Sequence, residues 1–223
     1  MIKSNLPIAI IGLGKTGLSI AKYFHKNNKK FIVYDTRKNL VLTKEIKKYI
    51  KTEDIFLGEI KNYFICQHDN FVISPGVNLD KKIIEEIKNN NKNIQTDIDI
   101  FNESGDKKVI CITGSNGKTT VTSILEHILN KIGKKSKAGG NIGLPALELL
   151  YEDYEYYILE LSSFQLEMTK QIKTESSLIT NITPDHLDRH KTFKNYINIK
   201  NKIFDNTKNI IINRSDNNIK KNK

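Results

Sequence analysis

Twice in this chain a short apolar run empties into a glycine-rich turn and then into a helical stripe. Ile8-Ala-Ile-Ile11 leads into Gly12-Leu-Gly14-Lys-Thr-Gly17, after which Leu18, Ala21 and Phe24 recur at helical spacing. Val109-Ile-Cys-Ile112 leads into Thr113-Gly-Ser-Asn-Gly-Lys-Thr-Thr120, after which Ile124, Leu125, Ile128, Leu129 and Ile132 form a stripe that stops near Gly133. A strand that ends in glycines ahead of a helix turns backbone N–H groups and the positive end of the helix dipole toward an anion. The pattern predicts two α/β units in tandem, each with a cradle for phosphate.

The first unit continues with Phe31-Ile-Val-Tyr34, closed by Asp35, which completes a βαβ opening. Phe71 to Gly76 reads as a strand running into a turn, and Ile83, Ile84 and Ile87 suit a helix after it. Lys88 to Asn93 reads as a loop, as does Asn102 to Lys108, so the boundary between units is expected near residue 95. In the second unit Tyr156–Leu159, Ser177–Thr180 and Ile210–Ile212 are strand candidates. Asn213 to Lys223 is polar and basic without periodicity, which reads as a disordered tail or as a chain that stops inside a domain.

Composition narrows the class. In 223 residues no apolar run approaches the roughly 18 needed for a membrane span. Residues 1–7 lack a signal core, and two cysteines, Cys66 and Cys111, make no disulfide framework, so a cytoplasmic setting is expected. The net charge of +11 raises the question of nucleic acid. Yet only Arg37, Arg189 and Arg214 are arginines among 36 basic residues, and residues 191–223 alone hold nine basic side chains against two acidic ones. Lysine is a less geometric phosphate reader than arginine, so this is compositional bias and no nucleic-acid partner is expected.

Four constellations carry chemistry. Gly12 to Gly17 is a GxGxxG with Asp35 eighteen residues further on. Alone it reads as an NAD or FAD turn with Asp35 on a ribose, as a structural turn, or as the cradle of another diphosphate such as a nucleotide sugar. In Thr113 to Thr120 the backbone N–H groups would hold phosphate oxygens, Lys118 would neutralise the β/γ charge, and the Thr119 hydroxyl would reach Mg²⁺. The strict GxxxxGK[ST] spacing fails by one residue, since Ile112 stands where it needs glycine. Glu160 is placed at the carboxyl end of a strand, where open α/β sheets bind ligands, and would suit Mg²⁺. Asp185, His186 and Asp188 cluster in the loop Asn181 to His190, a metal or phosphate site by composition. Bland readings go to His25, His68 and His127, which have no nameable partner, to Cys111 as a small hydrophobe, and to Tyr151, Tyr154, Tyr156 and Tyr157 as a half-buried surface.

In this order the motifs GLGKTG (12–17), DTR (35–37), SPG (74–76), TGSNGKTT (113–120), GGNIGLPAL (139–147), ELSSFQLE (160–167) and NITPDHLDRH (181–190) resemble the Mur ligases of bacterial cell-wall synthesis, over about residues 8–213. GxGxxG with DTR and SPG is similar to the D-glutamate-adding branch. The resemblance implies a Rossmann-like domain over residues 1–95 that holds the UDP of a nucleotide sugar. It implies an incomplete P-loop-type central ATPase domain over 96–223, with a C-terminal amino-acid-binding domain absent. Gly14, Lys15 and Thr16 would lie along the diphosphate, and Thr36, Arg37, Ser74 and Gly76 would hold the UDP end. Gly114, Ser115, Asn116, Gly117, Lys118, Thr119 and Thr120 would bind ATP. Thr119 and Glu160 would hold one Mg²⁺; His186 would ligate a second, shared with a carbamoylated Lys200. Lys200 matches a Tyr-x-x-Ala-Lys pattern in which Ile199 here replaces alanine. Asn141, Ser162 and Gln165 would contact the muramoyl-alanine arm.

The implied activity is ATP-dependent, ADP-forming ligation of D-glutamate to UDP-N-acetylmuramoyl-L-alanine through an acyl phosphate, by a monomer in peptidoglycan synthesis. Lys118, His186 and Lys200 would be its catalytic residues. The competing expectations are a truncated, non-catalytic nucleotide-binding fragment of such a ligase, an NAD-dependent oxidoreductase, and a P-loop kinase or GTPase.

Overall fold

The computed structural model describes residues 6–61, 63–77 and 81–219. Residues 1–5, part of the segment read for a signal, and residues 220–223 of the polar tail lie outside that range. The chain divides into two units, the first ending at Asp97 and the second starting at Ile98.

The first unit runs β1 (Ile8–Ile11), α1 (Lys15–Lys26), β2 (Phe31–Asp35), α2 (Lys44–Tyr49), β3 (Ile55–Leu57), α3 (Tyr63–Cys66), β4 (Asn70–Ile73), α4 (Lys81–Asn89) and β5 (Asn93–Gln95). Its sheet is parallel in the order β3-β2-β1-β4-β5. β1 and β4 are buried along their whole length, as central parallel strands covered on both faces must be. The strand order reverses between β1 and β4, and open α/β sheets bind ligands at such a switch.

The second unit runs α5 (Asp97–Glu103), β6 (Val109–Thr113), α6 (Lys118–Lys131), β7 (Ser136–Gly140), β8 (Tyr156–Glu160), α7 (Ser163–Met168), β9 (Thr174–Ile179), α8 (Leu187–His190), α9 (Phe193–Asn201) and β10 (Thr207–Ile212). Its sheet is also parallel, in the order β10-β9-β6-β8-β7. β6 sits in the middle, so its carboxyl end is flanked by those of β8 and β9. Ile112, Ala138 and Ile158 form a core against which Val121, Leu125 and Leu129 of α6 pack.

Several expectations need correction. The loops read at 88–93 and 102–108 are in part β5 and the end of α5. The stripe on α6 is not one buried face: Leu125 and Leu129 meet the sheet, while Ile124, Ile128 and Ile132 are 53%, 49% and 65% exposed. The tail is ordered through residue 219, since Asn213 and Asp216 close a turn and Ile219 is buried. His68 has partners after all. It is buried between Pro7, whose carbonyl lies 2.8 Å from Nδ1, and Tyr34, whose hydroxyl lies 2.8 Å from Nε2. Tyr157 is buried, not half-exposed.

Candidate functional site

The glycine turn of the first unit is a close-packed object. A Cβ at Gly17 would strike the Gly12 carbonyl oxygen, so glycine there lets α1 start directly against the end of β1. Gly14 is the N-cap of α1 and offers no side chain to its first N–H groups; no acidic residue stands in the first turn. Lys15 and Thr16 occupy that turn at the surface. From β4, the Ser74 hydroxyl donates to the Gly12 carbonyl at 3.2 Å and ties the two sides of the switch together. Thr36, Arg37 and Gly76 are exposed beside it.

Asp35 decides between readings of this turn. Its Oδ2 accepts from Leu13 N at 2.6 Å and Arg37 Nη2 at 2.8 Å; its Oδ1 accepts from Arg37 N at 3.0 Å and Arg37 Nε at 2.7 Å. Burial opposes the charge, but the Arg37 fork and the Leu13 N–H outweigh it and hold the carboxyl down at about 2. With four bonds accepted, the carboxylate has no capacity left for a ribose diol. That removes the interaction on which the NAD reading rests, and it leaves Arg37 fixed at the mouth of the turn.

In the second unit three neighbouring strands deliver the site. Gly114 and Gly117 carry the loop from β6 to α6, and a Cβ at Gly114 would strike the Thr180 hydroxyl. Gly117 is the N-cap of α6, again without a side-chain cap and without an acid in the first turn. By contrast α2, α7 and α9 are closed by the hydroxyls of Thr43, Ser162 and Thr192. Both glycine turns therefore begin long helices whose amino ends carry no side-chain cap; the four-residue α8, after His186, is uncapped as well.

Around the loop, Thr119 Oγ1 donates to Glu160 Oε2 at 2.9 Å, and Asn141 Nδ2 donates to Glu160 Oε1 at 2.9 Å. Glu160 ends β8 and is buried, and no cation stands within ion-pair distance of it among the described residues. A buried carboxylate held by a hydroxyl and an amide, with the Lys200 charge near enough to be felt but not in ion-pair contact, is a donor set suited to a divalent cation. Lys118 Nζ folds back onto the carbonyls of Gly114 and Ser115, at 2.8 and 2.9 Å. Lys200, from α9, is 1% exposed and reaches Gly114 O at 2.8 Å and Thr113 Oγ1 at 3.3 Å. Burial first, and the Lys118 charge second, push its ammonium down to about 7.

The loop after β9 holds the phosphate loop from one side. Ser115 N donates to Asn181 O at 2.8 Å, Asn116 N donates to Asn181 Oδ1 at 3.0 Å, and Thr183 N donates to Ser115 Oγ at 3.0 Å. Tyr196 adds a hydroxyl 3.1 Å from Ser115 Oγ. These partners were not singled out from the sequence, although Asn181 and Thr183 lie in the NITPDHLDRH run. Asn116, Gly117 and Thr120 line the loop and the start of α6.

His186 follows on that same loop with φ +50°, its ring 4.9 Å from Phe164 and its Nε2 3.5 Å from Asp185 Oδ2. Among the described residues no three His, Cys, Asp or Glu side chains gather closely enough to bind a metal by themselves. The sequence expectation for Mg²⁺ draws on Thr119, Glu160, His186 and Lys200, of which the structure pairs Thr119 with Glu160. Ser162 and Gln165 form the capping box of α7, with Ser162 N donating to Gln165 Oε1 at 3.0 Å. Burial pushes the Cys111 thiol up, in keeping with an inert side chain. No helix among the described residues is long and apolar enough to cross a membrane.

The family described as Mur ligase middle domain matches residues 112–223, and the family described as Mur ligase MurD-like, N-terminal domain, matches residues 7–96. The UDP-N-acetylmuramoylalanine–D-glutamate ligase of Legionella pneumophila (strain Paris) is 39% identical over 209 residues, covering 93% of this chain and 47% of that protein. The protein of the same name in Haemophilus influenzae is 39% identical over 212 residues, covering 95% and 48%. The chain thus spans about half the length of the curated relatives it matches. Among solved structures, the UDP-N-acetylmuramate:L-alanyl-gamma-D-glutamyl-meso-diaminopimelate ligase from Neisseria meningitides superposes with a TM-score of 0.60 at 15% identity, covering 96% of this chain and 73% of that one; this likeness is one of fold.

Proposed function

The chain belongs to the Mur ligase family, and on that footing we propose that it carries the UDP-substrate-binding and ATP-binding parts of a cytoplasmic ligase that joins D-glutamate to UDP-N-acetylmuramoyl-L-alanine. The observation that carries this reading is the pair of glycine turns whose helices, α1 and α6, lack any side-chain cap. One takes the diphosphate of the sugar nucleotide. The other takes the triphosphate of ATP.

The chemistry follows from the poor electrophilicity of a carboxylate. The alanine carboxylate attacks the γ-phosphorus of ATP, ADP leaves, and an acyl phosphate forms. The amine of D-glutamate then adds to the acyl carbon, the tetrahedral intermediate expels phosphate, and the nitrogen loses a proton to give the amide. Charge grows on phosphoryl oxygens, where Lys118 and the N–H groups of residues 117–120 would sit, those of Ser115 and Asn116 being held by Asn181. Mg²⁺, held by Thr119 and Glu160 and at a second position by His186 and Lys200, would screen that charge when bound. For Lys200 to serve there it must become an anion. A lysine held at about 7 has a sizeable neutral fraction near neutrality, and its free amine adds CO₂ with loss of a proton to give a carbamate. Thr36, Arg37, Ser74 and Gly76 would hold the UDP end, and Asn141, Ser162 and Gln165 the muramoyl-alanine arm.

Calorimetric titration of the chain with Mg·ATP and, separately, with UDP-N-acetylmuramoyl-L-alanine tests the reading. Two independent saturable sites are expected. Absence of binding by either ligand would remove it.

A further inference from the structure

The polar segment after β10 has a place in the fold that its sequence did not announce. Asn213 Oδ1 accepts from Ser215 N at 3.0 Å, and Asp216 N donates back to Asn213 O at 3.1 Å, so the segment closes on itself as a turn. Asp216 then spends both oxygens: Oδ1 accepts from Asn218 N at 2.9 Å, and Oδ2 accepts from Ile182 N at 2.6 Å. Asn218 Nδ2 donates to Ile182 O at 3.1 Å, which grips both backbone groups of that residue. Ile219, 2% exposed, pins the end of the turn.

Ile182 is the middle of the three residues that grip the phosphate loop. Asn181 on one side binds Ser115 N and Asn116 N; Thr183 on the other binds Ser115 Oγ. The backbone at 181–183 is therefore clamped between the loop and the turn. Fixing Ile182 fixes the register of Asn181 and Thr183, and with it the direction in which the N–H groups of residues 115 and 116 are held.

We propose that Asp216 is a positioning residue for the nucleotide-phosphate loop, acting through Ile182 on Ser115 and Asn116. The inference rests on the reading of residues 113–120 as an ATP cradle. A carboxylate is suited to the role because a charge-assisted acceptor holds a backbone N–H more firmly than a neutral one.

The test uses the intact chain, Mg·ATP and UDP as probes, and the variants Asp216→Ala, Asp216→Asn and Asn181→Ala. Asp216→Ala should weaken ATP affinity about tenfold and leave UDP affinity within about twofold. Asp216→Asn, which keeps an acceptor for Ile182 N, should stay within about threefold of the parent for ATP. In the Asn181→Ala background, Asp216→Ala should add less than about twofold, because both act through one segment. Unchanged ATP affinity in Asp216→Ala, or independent and multiplicative effects of the two changes, would overturn the proposal. So would equal losses of ATP and UDP affinity, which mark general unfolding. If Asp216→Ala does not fold, Asn218→Ala, which releases the Ile182 carbonyl, is held to the same outcomes. If the unaltered chain binds UDP but not ATP, the cradle reading itself fails and the proposal with it.

Discussion

Lys118 and Lys200 share one acceptor: each Nζ lies 2.8 Å from the carbonyl oxygen of Gly114. Burial already disfavours the Lys200 ammonium, and the Lys118 charge on the same oxygen adds to that cost. The arrangement stores unfavourable energy at the centre of the proposed nucleotide site, where a bound triphosphate would draw Lys118 away from the loop carbonyls.

That strain is measurable as stability. The Lys200 ammonium falls from its ordinary value of 10.5 to about 7 in the folded chain, so the unfolded state binds more protons between those values. The stability this group contributes is present above about pH 10.5 and is lost as pH falls toward 7. Lys200→Met should therefore raise the melting temperature at pH 7, by about 1–2 kcal/mol in stability. The advantage over the parent should shrink as pH is raised toward 10.5. Thermal melts of both chains across that range check it; a Lys200→Met chain less stable than the parent at pH 7 contradicts it.

Glu160→Gln keeps shape and one acceptor but removes the charge. ATP affinity should then become insensitive to Mg²⁺, whereas the parent should lose about 10- to 100-fold when the metal is chelated. Titrations with and without chelator read the difference. Retained Mg²⁺ dependence would move the cation to other residues.

Lys118→Ala and Arg37→Ala should split the two ligands. The first should cut ATP affinity by about 10²-fold and spare UDP; the second should do the reverse. Arg37→Ala should also unlock Asp35, whose ordinary carboxyl value of 3.8 is depressed to about 2 by that guanidinium. Stability from Asp35 is present above about pH 4 and is lost as pH falls toward 2, so the variant should lose this acid tolerance. Acid unfolding curves of the two chains give the comparison.

His68 supplies a prediction away from either ligand. Its Nδ1 must carry the proton, because a carbonyl can only accept, and Nε2 then accepts from the Tyr34 hydroxyl. Burial holds this imidazole below its ordinary 6.5. The stability it contributes is present above pH 6.5 and drains away as pH falls below that value. His68→Leu should be less stable by about 1–3 kcal/mol at pH 8, from the partners left unpaired, and should show a flatter decline between pH 6.5 and 5. Denaturant melts at both pH values decide.

What the sequence disclosed was set by contrast against its surroundings. β1, β2, β4, β6 and β8 are apolar runs beside glycine or charge, β9 and β10 show only an apolar end at Leu178-Ile179 and Ile210–Ile212, and both glycine turns stand out by spacing. β3, β5 and β7 are hidden, because Ile55–Leu57 and Asn93–Gln95 are three residues long and Ser136–Gly140 is small and polar. They gain their shape from neighbours in the sheet, which period-two patterning cannot reveal. The α6 stripe marks a helix correctly, but isoleucine and leucine count alike in a periodicity, and of its residues only the leucines face the sheet. Ser162-x-x-Gln165 is a capping-box signature, and the structure realises it as the cap of α7. The Asn, Ser and Asp of residues 213–216 were turn signals, legible as such, but their grip on residue 182 is a long-range pairing that no local pattern contains.

The fork between Asp35 and Arg37 has a last consequence for recognition. A guanidinium already matched by a carboxylate projects almost no field beyond its own neighbourhood, so it cannot draw an anion in from solution. What it retains are N–H bonds pointing in fixed directions. In the proposed role at the UDP end such a group would sort arriving molecules by outline and bond angle, and a small inorganic anion of the right charge but the wrong outline would gain little from it.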